Sequence, residues 1–253
     1  MITFDFGDTL VSSDPPYLTR IWMGLKELGV ERKLWEVEKA YHMADWKESV
    51  ELLKKKWFKP SDYQHVLGRR LMEELGIRTG RAALLEDLYR WLVGFRPERV
   101  MVPGARQLLA ELKKSGYKMG VISNNDGRTR EKCRHVDIEN YFEFILDSTL
   151  EGMVKPDPRF FKKALKLAGA RPEQVLHIGD LWGSDILGAR KSGLWAMWIS
   201  NRYCKPELKG KIFKIGNIKQ ALNHIESGQE CPHPRPVRSP RAIAQQKCSL
   251  KRR

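Results

Sequence analysis

The chain has 253 residues, 42% of them hydrophobic, which is enough to bury a substantial core in one large domain or in a core with a smaller inserted domain. No apolar run approaches the roughly 20 residues of a membrane-spanning helix, and Met1 leads directly into a strand with no leader before it, so we expect a cytoplasmic protein without membrane partners. The formal charge of +15 favours anionic ligands, and the four cysteines lack metal-ligand spacing and are expected to be reduced thiols.

Short β-rich runs precede helical patterns along much of the chain, and this alternation predicts βα units on a parallel sheet. One helix has clear end signals: Asp157 and Pro158 supply an N-cap and a first-turn proline, and Gly169 closes the helix that they open. The predicted fold class is therefore α/β, with a Rossmann-like parallel sheet core. We predict strands at 2–6, 118–123, 144–147, 175–179, 195–200 and 212–215, and further helices at 105–114 and 184–191.

Residues 12–98 interrupt this alternation, because their apolar positions recur at helical spacing throughout and include no convincing strand. An all-helical insertion directly after the first strand is best placed over the site as a cap that excludes water and selects the substrate. We therefore predict a core of residues 1–11 and 99–226 and a helical cap of residues 12–98.

The last residues, 227–253, have no hydrophobic periodicity, several prolines, and seven basic residues against one acidic residue. This composition predicts a disordered basic tail. No aromatic residue that could stack on a base lies among these charges, so we disfavour nucleic acid as a partner.

A few polar positions at the ends of predicted strands suggest a site. Asp5 ends the first strand, and Ser123 ends the second. Lys155 lies in the sequence GMVKPDP, and Asp180 is followed five positions later by Asp185. A carboxylate at a strand end of an open α/β sheet lies in the crevice where such folds bind ligands. A nucleophilic carboxylate, a hydroxyl, an ammonium and an acidic pair are the groups that metal-assisted phosphoryl transfer needs, and oxygen-only ligands suit Mg²⁺.

Taken in order, these motifs resemble those of the haloacid dehalogenase (HAD) superfamily, in the branch with a helical cap between its first and second motifs. The resemblance covers about residues 1–226. It implies a Mg²⁺-dependent hydrolase, a phosphatase of small phosphorylated metabolites that acts through an aspartyl-phosphate intermediate.

The resemblance also implies roles for individual residues. Asp5 is the nucleophile, and Lys155 offsets the negative charge that Asp5 shares with the phosphoryl oxygens. Asp185 acts through water or by orienting Lys155, whereas His177 is expected to be a packed core histidine. The catalytic residues are Asp5, Lys155 and Ser123, the phosphate contacts are Ser123, Asn124, Lys155 and Thr9, and the magnesium contacts are Asp5, the Gly7 backbone carbonyl, Asp180 and Asp185.

The first motif departs from the family pattern at Gly7. The family has D-x-D-x-T, whereas this chain has Asp5-Phe6-Gly7-Asp8-Thr9. The second aspartate of the family protonates the leaving oxygen and later activates water, and a glycine has no side chain for that work. Three consequences stay open: substrates with good leaving groups, a proton carrier supplied by Asp8 or by the cap, or lost turnover.

Other classes of function are also open. Without turnover the chain would be a phosphate- or protein-binding module with the HAD fold. Other branches lack the second aspartate too: phosphonate-cleaving enzymes rely on an imine-forming cap lysine, and haloacid-cleaving enzymes use no metal. The acidic fourth motif favours phosphorus chemistry over dehalogenation, while substrate identity and oligomeric state are not readable from the sequence. The candidates for an imine-forming lysine are Lys26, Lys33, Lys47 and Lys54.

Overall fold

The computed structural model describes residues 1–55, 60–77 and 82–227. The strands are β1 (Ile2–Phe4), β2 (Val11–Asp14), β3 (Glu98–Met101), β4 (Met119–Ser123), β5 (Phe144–Asp147), β6 (Leu176–Gly179), β7 (Trp195–Ile199) and β8 (Ile212–Ile215). The helices are α1 (Tyr17–Glu27), α2 (Leu34–Leu52), α3 (Pro60–Glu74), α4 (Ala82–Gly94), α5 (Ala105–Lys114), α6 (Thr129–His135), α7 (Ser148–Glu151), α8 (Pro158–Ala168), α9 (Gly188–Lys191) and α10 (Ala221–Ser227).

Strand β1 lies inside a six-stranded sheet with the order β5-β4-β1-β6-β7-β8, and each neighbouring pair is parallel. Phe4 of β1 is opposite Val121 of β4 on one side and Ile178 of β6 on the other. A strand covered on both faces of the sheet needs buried side chains on both faces, which explains why the short apolar sequence of β1 predicts a core strand. The predicted α/β core is confirmed: all six predicted strands are present, and four of them are one or two residues shorter than predicted.

Helices cover both faces of this sheet: α5 and α10 share one hydrophobic cluster with it, and α8 and α9 share the other. Helix α8 begins and ends as the sequence predicts. The carboxylate of Asp157 accepts a hydrogen bond from the Arg159 backbone N–H at 2.9 Å, and Pro158 occupies the first turn. Gly169 ends the helix with a left-handed φ of 58°. The buried Phe161 lies on the apolar face that packs on the sheet.

The predicted helix at 184–191 needs a correction. A π-helical turn, Trp182–Leu187, comes first, and α9 contains only Gly188–Lys191. The wider turn is visible in the bond from the Ile186 N–H to the Leu181 carbonyl at 3.3 Å, which spans five residues. Hydrophobic spacing does not distinguish one wide turn from an α-helical turn. Isolated π turns occur often at functional sites, and this one carries Asp185.

The prediction that residues 12–98 contain no strand is wrong at the ends of this segment. Strands β2 and β3 form an antiparallel ribbon, with Val11 opposite Met101 and Asp14 opposite Glu98. Each strand has four residues and is partly exposed, so its alternation is too short to recognise in the sequence. The ribbon brings the two ends of the helical segment together beside the sheet.

Helices α1 to α4, which we call the helical segment, share a hydrophobic cluster of their own. Leu25 of α1, Val37 of α2 and Leu88 of α4 are almost fully buried within it. The pattern is that of amphipathic helices that bury their apolar faces against one another. The division into a core and a separate cap domain stays a prediction.

The predicted basic tail, residues 227–253, lies outside the described residues except for Ser227. Within the described ranges, no helix is both long and apolar enough to cross a membrane.

Candidate active site

The parallel sheet brings the predicted site residues together at one edge. Asp5 directly follows β1, Ser123 ends β4, and Asp180 directly follows β6. Because β4 and β6 flank β1, these three residues leave the sheet side by side at the carboxyl ends of the strands. Lys155 reaches the same place from the loop before α8, and its Nζ lies 2.6 Å from Asp5 Oδ1.

Three carboxylates form the centre of the site. Ligand oxygens of Asp5, Asp180 and Asp185 all lie within 4.8 Å of one another. Burial, opposed by Lys155, raises the pKa of Asp5 to about 6. Burial and the charges of Asp5 and Asp185 raise the pKa of Asp180 well above its usual value. A hard cation that binds oxygen ligands would stabilise the ionised form of such neighbouring acids, so the donor set fits Mg²⁺.

Lys155 is fully buried and is held between two carboxylates. Its Nζ lies 2.6 Å from Asp5 Oδ1 and 2.6 Å from Asp185 Oδ1. Burial alone would lower the pKa of Lys155, but the two carboxylates outweigh burial and raise the pKa above its ordinary value. The ammonium therefore stays charged at the centre of the site.

The side chain of Asn124 fixes the backbone of this lysine. The Lys155 N–H donates to Asn124 Oδ1 at 2.7 Å, and Asn124 Nδ2 donates to the Lys155 carbonyl at 3.0 Å. The amide is thus occupied with positioning Lys155. The backbone N–H of Asn124 is the group on which its predicted phosphate contact would depend.

Asp185 is the most strongly held acid of the three. Besides Lys155, its carboxylate accepts a hydrogen bond from the Leu181 N–H at 3.0 Å, and His177 Nε2 lies 3.4 Å away. Burial would raise the pKa of Asp185, but Lys155 and His177 outweigh burial and lower the pKa to about 2. His177 is buried as predicted, with Nδ1 3.0 Å from Thr3 Oγ1, and it also contacts the acidic group, which the sequence did not indicate.

Thr9 and Gly7 lie on the turn after β1. The Thr9 hydroxyl donates to Asp180 Oδ1 at 3.2 Å, so Thr9 orients one of the three acids, and its predicted phosphate contact stays a prediction. Gly7 faces open space: a Cβ added there would meet no atom within 4 Å. The neighbouring Asp8 is exposed and accepts a hydrogen bond from Ser12 Oγ at 2.5 Å, and its charge is among those that raise the pKa of Asp180.

Ser123 is buried at the end of β4, opposite Asp147 of β5. The Asp147 carboxylate accepts hydrogen bonds from the N–H groups of Gly127 at 2.9 Å and Thr129 at 3.2 Å. It therefore fixes the loop that follows Ser123 and the start of α6. No sequence motif marked Asp147, and its place at the end of a strand next to β4 was the signal available in the sequence.

Two further residues reach the site from the helical segment, and no sequence motif marked them. The buried Tyr63 of α3 places its hydroxyl beside the side chains of Asn124 and Ser184, and burial raises its pKa well above 10. Asp45 of α2 binds the backbone of Gly183 and Ser184, next to Asp185. The sequence offered no clear signal for Asp45, because the buried face of α2 also carries the polar residues Glu48 and Ser49.

A parallel α/β sheet with a buried lysine among three strand-end and turn carboxylates is the arrangement of one class of hydrolase. The chain belongs to the haloacid dehalogenase-like hydrolase family, which matches residues 1–193. The predicted family resemblance is thereby confirmed.

Curated relatives match over part of their length. The chain is 39% identical over 130 residues to glyceraldehyde 3-phosphate phosphatase from Pyrococcus furiosus, covering 49% of this chain and 54% of that protein. It is 33% identical over 159 residues to phosphoserine phosphatase from Thermus thermophilus, covering 61% of each. The chain thus spans about half the length of the first of these relatives and three fifths of the second.

Solved structures support the fold. A HAD hydrolase from Bacillus subtilis, solved with bound magnesium, aligns with a TM-score of 0.58 at 20% identity, covering 89% of this chain and 97% of the other. At this identity the similarity concerns the fold.

Proposed function

We propose that the chain is a magnesium-dependent phosphatase of small phosphorylated metabolites, with Asp5 as the nucleophile. The observation that supports this best is the buried Lys155, held at 2.6 Å from both Asp5 and Asp185, with Asp180 in the same cluster. One ammonium among three carboxylates leaves an excess of negative charge when all are ionised, and a divalent cation is suited to neutralise it.

In the proposed reaction a carboxylate oxygen of Asp5 attacks phosphorus, the bond from phosphorus to the substrate oxygen breaks, and an aspartyl phosphate forms. Water then attacks phosphorus, which releases inorganic phosphate and regenerates Asp5. The ammonium of Lys155 offsets the charge that Asp5 and the phosphoryl oxygens share. Magnesium, held by Asp5, Asp180, Asp185 and the Gly7 carbonyl, would supply Lewis-acid stabilisation of phosphoryl charge.

The substrate phosphate would lie at the end of β4. Ser123 and the backbone N–H of Asn124 are the proposed contacts, and Asp147 keeps their loop in place. The side chain of Asn124 supports the site indirectly, since it positions the Lys155 backbone.

The family residue that protonates the leaving oxygen is absent from this chain, because Gly7 stands in its place. General acid–base help contributes about 10² to 10⁴ in rate, so Gly7 should slow alkyl phosphates more than substrates with good leaving groups. Asp8 is the nearest acid in sequence, and its charge acts on Asp180. It and a residue of the helical segment remain the two candidate proton carriers.

The helical segment is proposed to act as the cap. Tyr63 and Asp45 reach the edge of the site from α3 and α2, and this proximity supports a role of the two helices in excluding water and contacting the substrate. Substrate choice would then depend on the side chains of this segment.

The names of the relatives indicate the size of the substrate. Glyceraldehyde 3-phosphate and phosphoserine are both small phosphate monoesters, and they are the substrates in the names of the two relatives described above. The choice of metal rests on the acidic cluster of Asp5, Asp180 and Asp185. The cytoplasmic location and the absence of nucleic acid and membrane partners stay predictions.

The test is phosphate release from a panel of phosphomonoesters and acyl phosphates, with and without Mg²⁺. We expect Mg²⁺-dependent release that Asp5→Asn abolishes. Asp87→Asn is the matched control, because Asp87 lies on α4 in a surface ion pair with Arg90, and it should leave activity unchanged. No release by the unmodified protein, or full activity in Asp5→Asn, would contradict the proposal.

Gly7 favours one second candidate, a phosphate-binding module that keeps the fold without turnover. Such a module would be stabilised against thermal unfolding by inorganic phosphate with Mg²⁺ and would release no product from any substrate of the panel. The same measurements therefore separate the two candidates.

Phosphonate cleavage through a lysine imine receives no support from the candidate lysines. Lys47 is paired with Glu74 at 2.6 Å and Lys54 with Glu51 at 2.7 Å, and both lysines are half or more exposed. Lys26 is exposed beside Trp22, and Lys33 is exposed as well. Imine formation needs a lysine that the substrate site shields from water, and all four candidates lie at the surface.

A further inference from the structure

Asp45 is a buried acid that the proposed mechanism does not use. It lies in the middle of α2, and none of its surface is exposed. Its Oδ2 accepts a hydrogen bond from the Gly183 N–H at 2.7 Å, and its Oδ1 accepts one from the Ser184 N–H at 3.1 Å. These bonds join the helical segment to the core across 138 residues of sequence.

The two donors are the second and third N–H groups of the π turn, Trp182–Leu187, that carries Asp185. The N–H groups at the start of a helical turn have no partner within the turn, and a carboxylate is the acceptor that suits them best. In most proteins that acceptor comes from the residue just before the helix. Here it comes from another element, so the geometry of the turn depends on where α2 sits.

The backbones of α2 and the turn are also in close contact. A Cβ at Gly183 would lie 2.4 Å from the Asp45 carbonyl oxygen and 2.5 Å from Ser49 Oγ, so only glycine fits between them. Beside this contact Trp46 packs edge-on against Trp182, with 6.2 Å between ring centroids. The contact is therefore both polar and apolar, and it is tight.

The turn leads directly to the acidic centre of the site. Asp185 lies one residue after Ser184, and its carboxylate reaches Lys155 at 2.6 Å and belongs to the cluster with Asp5 and Asp180. A shift of the turn would move this carboxylate relative to the other two.

We propose that Asp45 is a positioning residue for the metal site: by holding the first turn after Asp180, it fixes Asp185, so that magnesium binding by the core depends on α2 being docked. This inference rests on the proposed function. Asp45 lies in the helical segment and outside the family motifs, so it would be an additional residue that supports the magnesium site.

The test compares Asp45→Asn, Asp45→Ala and Gly183→Ala with the unmodified protein. Calorimetric titration of Mg²⁺ and the Mg²⁺-induced shift in melting temperature are measured alongside phosphate release. Groups that orient metal ligands typically cost about 10- to 100-fold in metal affinity when removed, and we expect about 10-fold weaker Mg²⁺ binding in Asp45→Ala and Gly183→Ala and a smaller loss in Asp45→Asn. Activity should recover at raised Mg²⁺. Asp87→Asn should bind Mg²⁺ like the unmodified protein.

The outcomes separate this inference from the proposed function. If the unmodified protein neither binds Mg²⁺ nor releases phosphate, the proposed function fails and the inference falls with it. If the unmodified protein does both and the Asp45 variants bind Mg²⁺ normally, the inference alone is overturned. A lower melting temperature with an unchanged Mg²⁺-induced shift shows a structural role only and also overturns it. Should Asp45→Ala not fold, Asp45→Asn, which keeps size and one acceptor, decides the question.

Discussion

The two parts of the molecule contribute to the site in different ways. The α/β core supplies Asp5, Ser123 and the acidic pair from strand ends and the turns that follow them, and Lys155 from the loop before α8. The helical segment supplies Asp45 from the middle of α2 and Tyr63 from the first turn of α3. The core residues are fixed by strand order, whereas the two helical residues reach the site only because α2 and α3 dock on it. The difference shows that sequence motifs mark one part of the site and leave out the other.

Lys155→Met, a substitution in the core, is expected to have the largest effect on stability and activity. Removing the ammonium leaves the buried carboxylates of Asp5 and Asp185 without compensation beside the half-buried Asp180, and breaking a buried ion pair typically costs about 3 to 5 kcal/mol. We expect a loss of that size in the free energy of unfolding, measured in urea, together with loss of activity. Mg²⁺ should restore part of the stability.

Lys54→Met is the control, because Lys54 forms a surface ion pair with Glu51 and should change stability by less than about 1 kcal/mol. Equal stability losses in Lys54→Met and Lys155→Met would show that the buried ion pairs of Lys155 contribute no more to stability than a surface ion pair.

The next effect concerns the missing acid. Gly7→Asp restores the second carboxylate of the family motif, and the open space around Gly7 leaves room for it. We expect kcat on alkyl phosphates to rise by at least about 10², with little change on acyl phosphates, because only the former need a proton on the leaving oxygen. Gly94→Asp, another site with free space, is the control. An unchanged kcat would mean that Asp8 or the helical segment already supplies the proton.

Asp45 of the helical segment should make the stability of the protein depend on pH. Burial and the charge of Asp185, opposed by the Ser184 and Gly183 groups, raise the pKa of Asp45 to about 7. In the unfolded chain the pKa lies near 3.8, so between pH 4 and 7 the folded state binds the extra proton, and the stability that this provides is lost as pH rises. The unmodified protein should lose stability relative to Asp45→Asn by up to about 1.4 kcal/mol per pH unit in this window.

The measurement is a pair of urea titrations of both proteins at pH 4.5, 5.5 and 6.5. Parallel stability profiles would contradict a raised pKa at Asp45. Of the titratable groups that interact with Asp45, Asp185 is the one charged in this pH range, because the pKa values of Tyr41, Tyr63 and Cys204 are raised, and none of the four is substituted in the Asn variant.

The smallest effect is expected from Tyr63→Phe. The change removes one buried hydroxyl beside Asn124 and Ser184, and a hydrogen bond of this kind contributes about 0.5 to 1.5 kcal/mol. We expect KM to rise by a few fold with kcat nearly constant, measured on the best substrate of the panel. Tyr141→Phe is the control, because Tyr141 is a partly buried tyrosine of the core that takes no part in the site. A pure stability loss without change in KM would place Tyr63 outside substrate recognition.

Much of the core was predictable because its signals are local. Asp5, Ser123 and Asp180 each follow a short apolar run, and parallel strands end at one edge of the sheet, so their proximity follows from the alternation of strands and helices. The end signals of α8, Asp157 and Gly169, are equally local. The short ribbon of β2 and β3 and the π turn at Trp182–Leu187 were not predictable, because neither has a distinct hydrophobic period over so few residues.

The sequence by itself determined the family, the parallel α/β core and the set of polar groups at the strand ends, because each of these follows from patterns between near neighbours along the chain. Only the tertiary structure decided that Asn124 positions the Lys155 backbone, that Thr9 orients Asp180, and that Asp45 binds the turn that carries Asp185. Those contacts depend on how helices and loops dock against the sheet, and docking is a property of surfaces built from residues that are distant in sequence.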